Sequence, residues 1–460
     1  MSYQDFVKRK LSTVTPTGIS GSVDLVGSLF PHQAALTQWA LRRGRAAIFA
    51  DTGLGKMRME LAWADAVNKH TGKPVMIHTP LAVAQQIATE GRRIGLAVNV
   101  CRDGSDVQDG INVINYDRLH KIDPSMFGGV VLDESGCIKH AETRAFKALT
   151  DAYRNTPFKL PATATPAPND WTELGTHAEF LGICTKAEML AEFFMHDGGE
   201  TSVWRLKGHA RLLFWRWVSS WGAMIRKPSD LGFDDGAYNL PSLHLHEHQV
   251  SFEMPLNGML FATDAQTLSE RRDARRKSME DRVAECAAMV NGEQSEPWVV
   301  WCDLNAEGDA LAKAIPGSVQ IAGADSVEVK EQRLQDFAEG RTRVLISKPS
   351  ICGWGLNWQH AARMAFVGVT DSYEAYYQAV RRCWRFGQSR EVHVHIFASK
   401  AEGAIVSNLK RKEREAGEMA DSLSAETREA VLSEVIGQRR DTNEHNAGQR
   451  VAVPSFLKAA

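Results

Sequence analysis

The sequence predicts an α/β protein that contains two lobes, each built on a parallel sheet. Short apolar runs alternate with helical stretches from about residue 30 to 160, and the alternation returns from 298 to 397. Such alternation is typical of parallel sheets that carry helices on both faces. A segment rich in tryptophan and arginine separates the two regions. A chain of 460 residues is long enough for two or three domains.

Composition excludes several classes of protein. Hydrophobic residues make up 43% and charged residues 24%, as in ordinary soluble globular proteins. The net charge of -2 does not indicate a nucleic-acid binder, although a local basic groove remains compatible with it. Seven cysteines without a C-x-x-C pair favour a reducing cytoplasm. The polar segment 1–10 does not resemble a signal peptide, and no apolar run reaches the ~18 to 20 residues of a membrane span. We therefore expect a cytoplasmic protein with no membrane partner.

Residues 1–180 are predicted to form the first lobe, named lobe 1. Each predicted strand is a short apolar run, and each predicted helix is a longer stretch that follows such a run. The predicted strands are 46–50, 75–78, 111–114 and 130–132, and the predicted helices are 57–68 and 82–94.

The region after lobe 1 is predicted to contain three parts. Residues 181–242 form a helical insertion rich in tryptophan and arginine, residues 243–401 form lobe 2, and residues 402–460 form a charged helical extension with a partly disordered tail. Lobe 2 is predicted to contain strands at 243–250, 298–302, 344–346, 363–369 and 392–397, and helices at 268–291, 306–314 and 373–385.

A glycine-rich loop follows the first strand. It reads Asp51-Thr52-Gly53-Leu54-Gly55-Lys56 and precedes a helix. The glycines allow backbone N–H groups to turn toward phosphates at the positive end of the helix dipole. Lys56 would reach the β- and γ-phosphates of a nucleotide. The loop therefore predicts an ATP site.

The residue after this lysine departs from the usual pattern. A Ser or Thr hydroxyl normally binds Mg²⁺ at this position, but Met57 occupies it here. A thioether is a poor ligand for a hard cation. Either water replaces the hydroxyl, or binding of Mg²⁺ with ATP is weaker.

Two consecutive carboxylates follow the strand at 130–132. Asp133 is placed where it can hold Mg²⁺, directly or through water. Glu134 is placed where it can orient and deprotonate an attacking water. The pair predicts an ATP-hydrolysing site together with Lys56.

The ordered set of motifs resembles superfamily 2 helicases and translocases of the Swi/Snf-type branch, which have two RecA-like P-loop lobes. The resemblance covers roughly residues 28–400, and the compact layout is most similar to small helicases of bacteriophages and prophages. The segments that carry it are Phe30–Gln33, Asp51–Lys56, Thr79–Leu81, Asn115–Asp117, Asp133–Gly136 at the DEAH-box position, Ala162–Asn169, Trp301–Cys302, Gly353–Asn357 and Gln378–Gln388.

The resemblance assigns further residues to the nucleotide site. It implies that Gln33 reads adenine and that Gly355 senses nucleotide and strand together. On a helix, Gln378, Arg382 and Arg385 share one face, whereas Arg381 and Trp384 lie to one side. Two arginines on one face would normally repel each other, but a polyanion such as a nucleotide phosphate can bind both. Arg382 and Arg385 are therefore interpreted as arginine fingers.

Several polar residues near strand ends are candidates for contacts to nucleic-acid phosphates. The C-terminal ends of the strands are where α/β sheets bind ligands. Short neutral side chains there can bond phosphates without reading sequence. The candidates are Thr79, Asn115, Thr165, Ser347 and Asn357.

The resemblance therefore implies a DNA-dependent ATPase that moves along DNA, with double-stranded DNA as the expected track. We expect a monomer that works with replication, recombination or repair proteins of a phage in the cytoplasm of its bacterial host. Three alternatives remain: an RNA-directed helicase of the same superfamily, a nucleotide-dependent switch with little turnover, and the motor subunit of a restriction-type complex. The helical segment after residue 402 either braces the lobes, as in the family, or is an ordinary solvated helix.

Two further patterns allow two interpretations each. The aromatic residues between Trp204 and Trp221 either pack on lobe 1 or stack on bases, and packing is favoured. His244, His246 and His248 alternate and would share one strand face. A solvated strand face is favoured over a metal site, because no cysteine or carboxylate of suitable spacing accompanies them.

Overall fold

The computed structural model describes residues 14–26, 28–80, 83–197, 200–250, 278–352, 357–368, 372–399 and 403–436. The described helices are α1 (Pro31–Arg43), α2 (Lys56–Thr71), α3 (Ala84–Arg93), α4 (Arg144–Ala152), α5 (Leu174–Leu181), α6 (Lys186–Phe193), α7 (Arg211–Ser219), α8 (Met279–Gly292), α9 (Asn305–Ala314), α10 (Val327–Ala338), α11 (Pro349–Cys352), α12 (Tyr373–Val380) and α13 (Gly403–Val431), which continues as a π-helical turn (Leu432–Ile436).

The strands are β1 (Ala47–Ala50), β2 (Val75–Thr79), β3 (Val98–Val100), β4 (Ile111–Asn115), β5 (Gly129–Asp133), β6 (Phe158–Ala162), β7 (Phe194–Asp197), β8 (Glu200–Leu206), β9 (Gly222–Ile225), β10 (Leu243–Val250), β11 (Trp298–Trp301), β12 (Val319–Ile321), β13 (Val344–Ser347), β14 (Arg363–Phe366) and β15 (Val392–Ser399). Short 3₁₀ helices lie at Gly104–Asp106, Tyr116–Lys121, Pro124–Met126, Ser135–Ile138, Trp171–Glu173, Gly208–Ala210, Pro228–Leu231 and Gly236–Tyr238.

The predicted fold class is confirmed, because the strands form two parallel sheets flanked by helices. The first sheet has the order β3-β4-β2-β5-β6-β1-β9, and the second has the order β10-β15-β14-β11-β13-β12. Every strand pair in the two sheets is parallel. Each sheet buries alternate residues in separate apolar clusters on its two faces.

Strand β6 lies inside the first sheet although its sequence does not read as a buried strand. Lys159 and Pro161 interrupt its apolar run. The Lys159 ammonium is nevertheless buried and donates a hydrogen bond of 2.8 Å to the carbonyl oxygen of Phe180. Burial, together with the nearby charges of Arg45 and Arg154, lowers the pKa of Lys159 to about 7. The strand is therefore compatible with the core, because the Lys159 ammonium finds a hydrogen-bond acceptor inside the protein.

The segment between the lobes differs from the predicted helical insertion. It contains the antiparallel hairpin β7–β8, and β9 then returns to the first sheet and pairs with β1. Phe214, Trp215 and Trp221 are buried in an apolar cluster of the first sheet. The packing interpretation of these aromatic residues is therefore the one that the structure shows.

Helix α13 contacts the cores of both lobes. Its N-terminal half contributes Ile405 and Leu409 to the apolar cluster of the second sheet. Its C-terminal half contributes Met419 and Leu423 to a cluster of the first sheet. One continuous helix thus connects the two parallel-sheet units. Among the helices that the structure describes, none has both the length and the apolar character that crossing a bilayer requires.

Candidate nucleotide site between the lobes

The glycine-rich loop lies between β1 and α2, as predicted. Gly53 and Gly55 have φ angles of 89° and 81°, a region that glycine adopts without strain. A Cβ atom on Gly55 would lie 2.2 Å from Nε2 of Gln33, and one on Gly53 would lie 3.2 Å from the backbone nitrogen of Phe386. The loop therefore needs glycine both for its conformation and for the close approach of lobe 2.

Gln33 supports this loop from behind. Its Nε2 donates a hydrogen bond to the Leu54 carbonyl oxygen at 2.9 Å, and its Oε1 accepts one from the Phe30 backbone N–H at 3.0 Å. The side chain is buried and lies outside the cleft lining. Both amide atoms are bonded within lobe 1, and the contact of Gln33 with adenine stays a prediction.

Lys56 and the two predicted carboxylates face the cleft. The Lys56 ammonium donates a hydrogen bond to the Ala50 carbonyl oxygen at 2.9 Å. Asp133 ends β5, and Glu134 follows it with a φ of 52°. A non-glycine residue in this left-handed region is strained, and such strain is concentrated at functional sites. The Thr163 hydroxyl donates to Glu134 Oε2 at 3.4 Å.

A third carboxyl group, which the sequence analysis missed, lies behind the cleft. Glu60 is on α2, and both of its oxygens are buried without a hydrogen-bond partner among the described residues. Burial raises the pKa of Glu60 well above its usual range, and the charge of Asp133 raises it further. Burial and the charge of Glu134 raise the pKa of Asp133 to about 7, against the opposing effects of Thr79 and Lys56. The sequence did contain a signal for this residue: Glu60 is a charged residue at a position of α2 that faces the core, one turn after Lys56.

Lobe 2 contributes the two predicted arginines. Helix α12 ends at Val380, so the prediction of a helix to residue 385 was wrong, and the arginines lie on the turns that follow. Arg382 and Arg385 nevertheless line the same cleft as Lys56 and Glu134. Arg382 donates to Gln378 Oε1 at 3.3 Å. Burial and the neighbouring Arg385 lower the pKa of Arg382 to about 9.

Arg381, which sequence spacing placed to one side, connects the lobes directly. Its guanidinium is buried, forms an ion pair with Asp51 of the glycine-rich loop at 2.5 Å, and lies over the Trp384 ring at 4.3 Å. Tyr377 donates a hydrogen bond to the same Asp51 carboxylate. A second ion pair joins Lys139 of lobe 1 to Glu374 of lobe 2. Asp51 is thus held by lobe 2 rather than facing the cleft.

The cleft has a volume of about 220 Å³ and is lined by residues of both lobes: Thr52, Gly53, Gly55, Lys56, Met57, Arg58, Val83, Gln86, Glu90, Asp133, Glu134, Asn357, Gln378, Arg382 and Arg385. Gln378 Nε2 is buried there and makes no hydrogen bond to any described residue, so it is available to an added acceptor. The glycine loop, the cations and this amide fit a polyphosphate. The Asp133 carboxylate fits Mg²⁺, whereas the Met57 thioether does not.

The predicted nucleic-acid contacts are distributed differently from the expectation. Thr79 and Ser347 are buried, and their hydroxyls donate to Asp133 Oδ2 at 2.7 Å and to the Ile321 carbonyl oxygen at 2.9 Å. Thr165 is buried beside Asp51 and Arg381 in a pocket between the lobes, and Asn357 lines the nucleotide cleft. Asn115 is partly exposed and stays a predicted phosphate contact. The predicted sensor Gly355 lies outside the described residues.

Replacing Met57 with threonine is expected to lower the Mg²⁺ concentration that half-maximal ATPase activity requires, by about tenfold. The new hydroxyl would supply the hard oxygen ligand that the thioether lacks. ATPase rate is measured as a function of free Mg²⁺. Met57→Leu is the matched control, because it changes packing without adding an oxygen. An unchanged Mg²⁺ requirement in Met57→Thr would show that water already fills the position.

Comparison with known proteins gives three findings. Residues 289–387 match the helicase conserved C-terminal domain. A SWI/SNF-related matrix-associated actin-dependent regulator of chromatin subfamily A-like protein 1 from Xenopus laevis is 29% identical over 163 residues, which cover 33% of this chain and 17% of that protein. This chain thus spans about a sixth of the length of that relative. Protein p41 of Acyrthosiphon pisum secondary endosymbiont phage 1 is 21% identical over 439 residues, covering 80% of this chain and 92% of the phage protein.

Among solved structures, the Sulfolobus solfataricus SWI2/SNF2 ATPase core in complex with dsDNA is 17% identical, with a TM-score of 0.41, and the match covers 89% of this chain and 95% of that one. The helicase C-terminal match falls on lobe 2 and contains Gln378, Arg382 and Arg385. This chain is therefore similar to helicase-type ATPases of the Swi/Snf kind, with two parallel-sheet lobes that meet at a glycine-rich loop.

Proposed function

We propose that this chain is an ATP-dependent DNA translocase that couples hydrolysis in the cleft to movement of one lobe against the other. The observation that carries the proposal is the composition of the cleft. Lobe 1 supplies Lys56, Asp133 and Glu134, and lobe 2 supplies Arg382 and Arg385. A site whose charged groups come from two lobes is complete only when the lobes are together.

The roles of the residues follow from their contacts. The backbone N–H groups of the loop and the Lys56 ammonium bind the β- and γ-phosphates. Glu134, oriented by Thr163, accepts a proton from the attacking water. Asp133, oriented by Thr79, would hold Mg²⁺, which when bound neutralises developing negative charge on the phosphates. Arg382 and Arg385 stabilise the same charge from lobe 2.

A chain of contacts connects the base to α13. Glu134 contacts Thr163, which also accepts a hydrogen bond from the Thr165 backbone N–H at 3.2 Å. Thr163 and Thr165 belong to the segment 162–169. At the end of that segment, Asn169 Oδ1 accepts a hydrogen bond of 2.9 Å from Lys412 of α13. Since α13 also packs in the core of lobe 2, a shift of Glu134 on hydrolysis has a physical path to the position of lobe 2.

Movement along DNA also rests on the likeness to helicases and Swi/Snf-type proteins. The likeness to phage protein p41 supports a phage setting only, and the part of the proposal that names replication, recombination or repair rests on the motif resemblance. A nucleotide-dependent switch with little turnover is the second candidate. It is favoured by the absence of an oxygen ligand at Met57 and by the ion pair that holds Asp51 to Arg381.

The test is the ATPase rate of the full chain without nucleic acid and with single-stranded DNA, double-stranded DNA or RNA. Double-stranded DNA is expected to stimulate most, and Glu134→Gln measures any contaminating activity. Stimulation by RNA alone would replace the proposal with an RNA-directed helicase. ATP binding without stimulated turnover would favour the switch, and stimulation that needs added subunits would favour a restriction-type motor.

A further inference from the structure

Five histidines lie on one face of the two strands at the edge of the second sheet. His244, His246 and His248 alternate along β10, and His393 and His395 alternate along β15. The parallel register places His244 opposite His393 and His246 opposite His395, and the ring centroids of these pairs lie 4.8 and 4.6 Å apart. The expected solvated strand face is therefore a stacked ladder of imidazoles from two distant parts of the chain.

His244 differs from the other members of the ladder in its contacts. His246 Nε2 hydrogen-bonds His393 Nδ1 at 3.0 Å, and His248 Nε2 hydrogen-bonds His395 Nδ1 at 2.9 Å. His244 Nε2 is shielded from solvent and makes no hydrogen bond to any described residue. It nevertheless lies 3.3 Å from Glu391 Oε2, so the two atoms are adjacent without the geometry of a hydrogen bond.

This separation is the one that two ligands of a tetrahedral metal ion have. Zinc bonds of ~2.0 to 2.1 Å at the tetrahedral angle place neighbouring ligand atoms about 3.3 Å apart. His393 offers a third ligand, and the ligand atoms of His244, Glu391 and His393 all lie within 4.8 Å of one another. The bond from His393 Nδ1 to His246 is of the kind that orients a metal-binding imidazole.

We propose that His244, Glu391 and His393 form a site for a divalent transition-metal ion such as Zn²⁺, with water completing the coordination. The His244 and Glu391 side chains are 41% and 61% exposed, so the site lies at the protein surface although the His244 Nε2 atom itself is shielded. None of the three residues lines the nucleotide cleft. The site joins β10, the first strand of the second sheet in the chain, to β15, the strand that precedes α13. The role of the ion is therefore structural: it fastens the start of lobe 2 to its end.

The test is a titration of the untagged full-length protein with Zn²⁺ by calorimetry, and with Co²⁺ by visible spectroscopy. The wild-type chain is expected to bind one ion with the spectrum of a tetrahedral Co²⁺ site, and Zn²⁺ is expected to raise its melting temperature. His244→Ala and His393→Ala are each expected to weaken binding by at least ~10-fold and to remove the rise in melting temperature. Glu391→Gln is expected to act in the same direction.

His248→Ala is the matched control, because it removes an imidazole from the same face of the same strand outside the ligand set. It is expected to retain wild-type affinity, and circular dichroism checks that every variant is folded. Absence of saturable binding to the wild-type protein would overturn the proposal. So would binding that survives His244→Ala and His393→Ala, or binding that His248→Ala weakens equally.

Discussion

Replacing Lys56 with alanine is expected to reduce the rate of ATP hydrolysis by at least ~10²-fold, the usual effect of losing one charge-stabilising donor at a transition state. The Lys56 ammonium lies in the cleft and donates only to a backbone carbonyl among its hydrogen bonds within the described chain. Its removal breaks no ion pair within the described chain, although it takes away a positive charge that favours the ionised forms of Asp133 and Glu60. Turnover under saturating ATP measures the loss of hydrolysis. Fluorescence measures separately whether the variant still binds the nucleotide.

Lys69→Ala supplies the control on the same helix. Lys69 is exposed near the C-terminal end of α2 and pairs with Asp65 one turn earlier at 2.7 Å. An exposed pair of this kind contributes little to stability, so turnover in this variant should equal that of the wild type. Full activity in Lys56→Ala would contradict the assignment of the nucleotide site to this loop.

The sequence predicted the parts of the site that local pattern determines. The glycine-rich loop and the carboxylates at 133 and 134 each follow a short apolar strand, and the structure places Thr52, Gly53, Gly55 and Lys56 at one cleft with both carboxylates. Local pattern is sufficient there because a parallel strand and the loop after it are adjacent in both sequence and space. The roles of these residues in binding and hydrolysis stay predictions until the variants are measured.

Contacts between distant segments could not be predicted in this way. Whether Arg381 meets Asp51 depends on how far α12 extends and on how the lobes meet. The burial of Thr79 and Ser347 depends on which strands lie beside theirs, so it could not be predicted from the polarity of these residues. Glu391, the carboxylate beside His244, was not predicted from the sequence, because the order of strands, rather than sequence spacing, makes β10 and β15 neighbours.

Replacing Arg382 with alanine is expected to reduce turnover by ~10³-fold or more, the effect of an arginine finger in phosphoryl transfer. Arg385→Ala is expected to act in the same direction. Both guanidiniums line the cleft opposite Lys56 and contact the site from lobe 2. ATP binding should persist, because the glycine-rich loop and Lys56 remain. Single-turnover hydrolysis and equilibrium nucleotide binding distinguish loss of chemistry from loss of affinity.

Melting temperature separates a catalytic role of Arg382 from a structural one. Burial and the adjacent Arg385 both disfavour its charged form and lower its pKa, so Arg382→Ala should lower the melting temperature less than Arg381→Ala does. Arg381→Ala is the contrasting variant: it leaves the buried Asp51 carboxylate without its ion pair and should lower the melting temperature. An Arg382→Ala variant as destabilised as Arg381→Ala would indicate that the arginine holds the lobes together. Lost turnover with nucleotide binding retained and a melting temperature near that of the wild type would support a role of Arg382 in the chemical step.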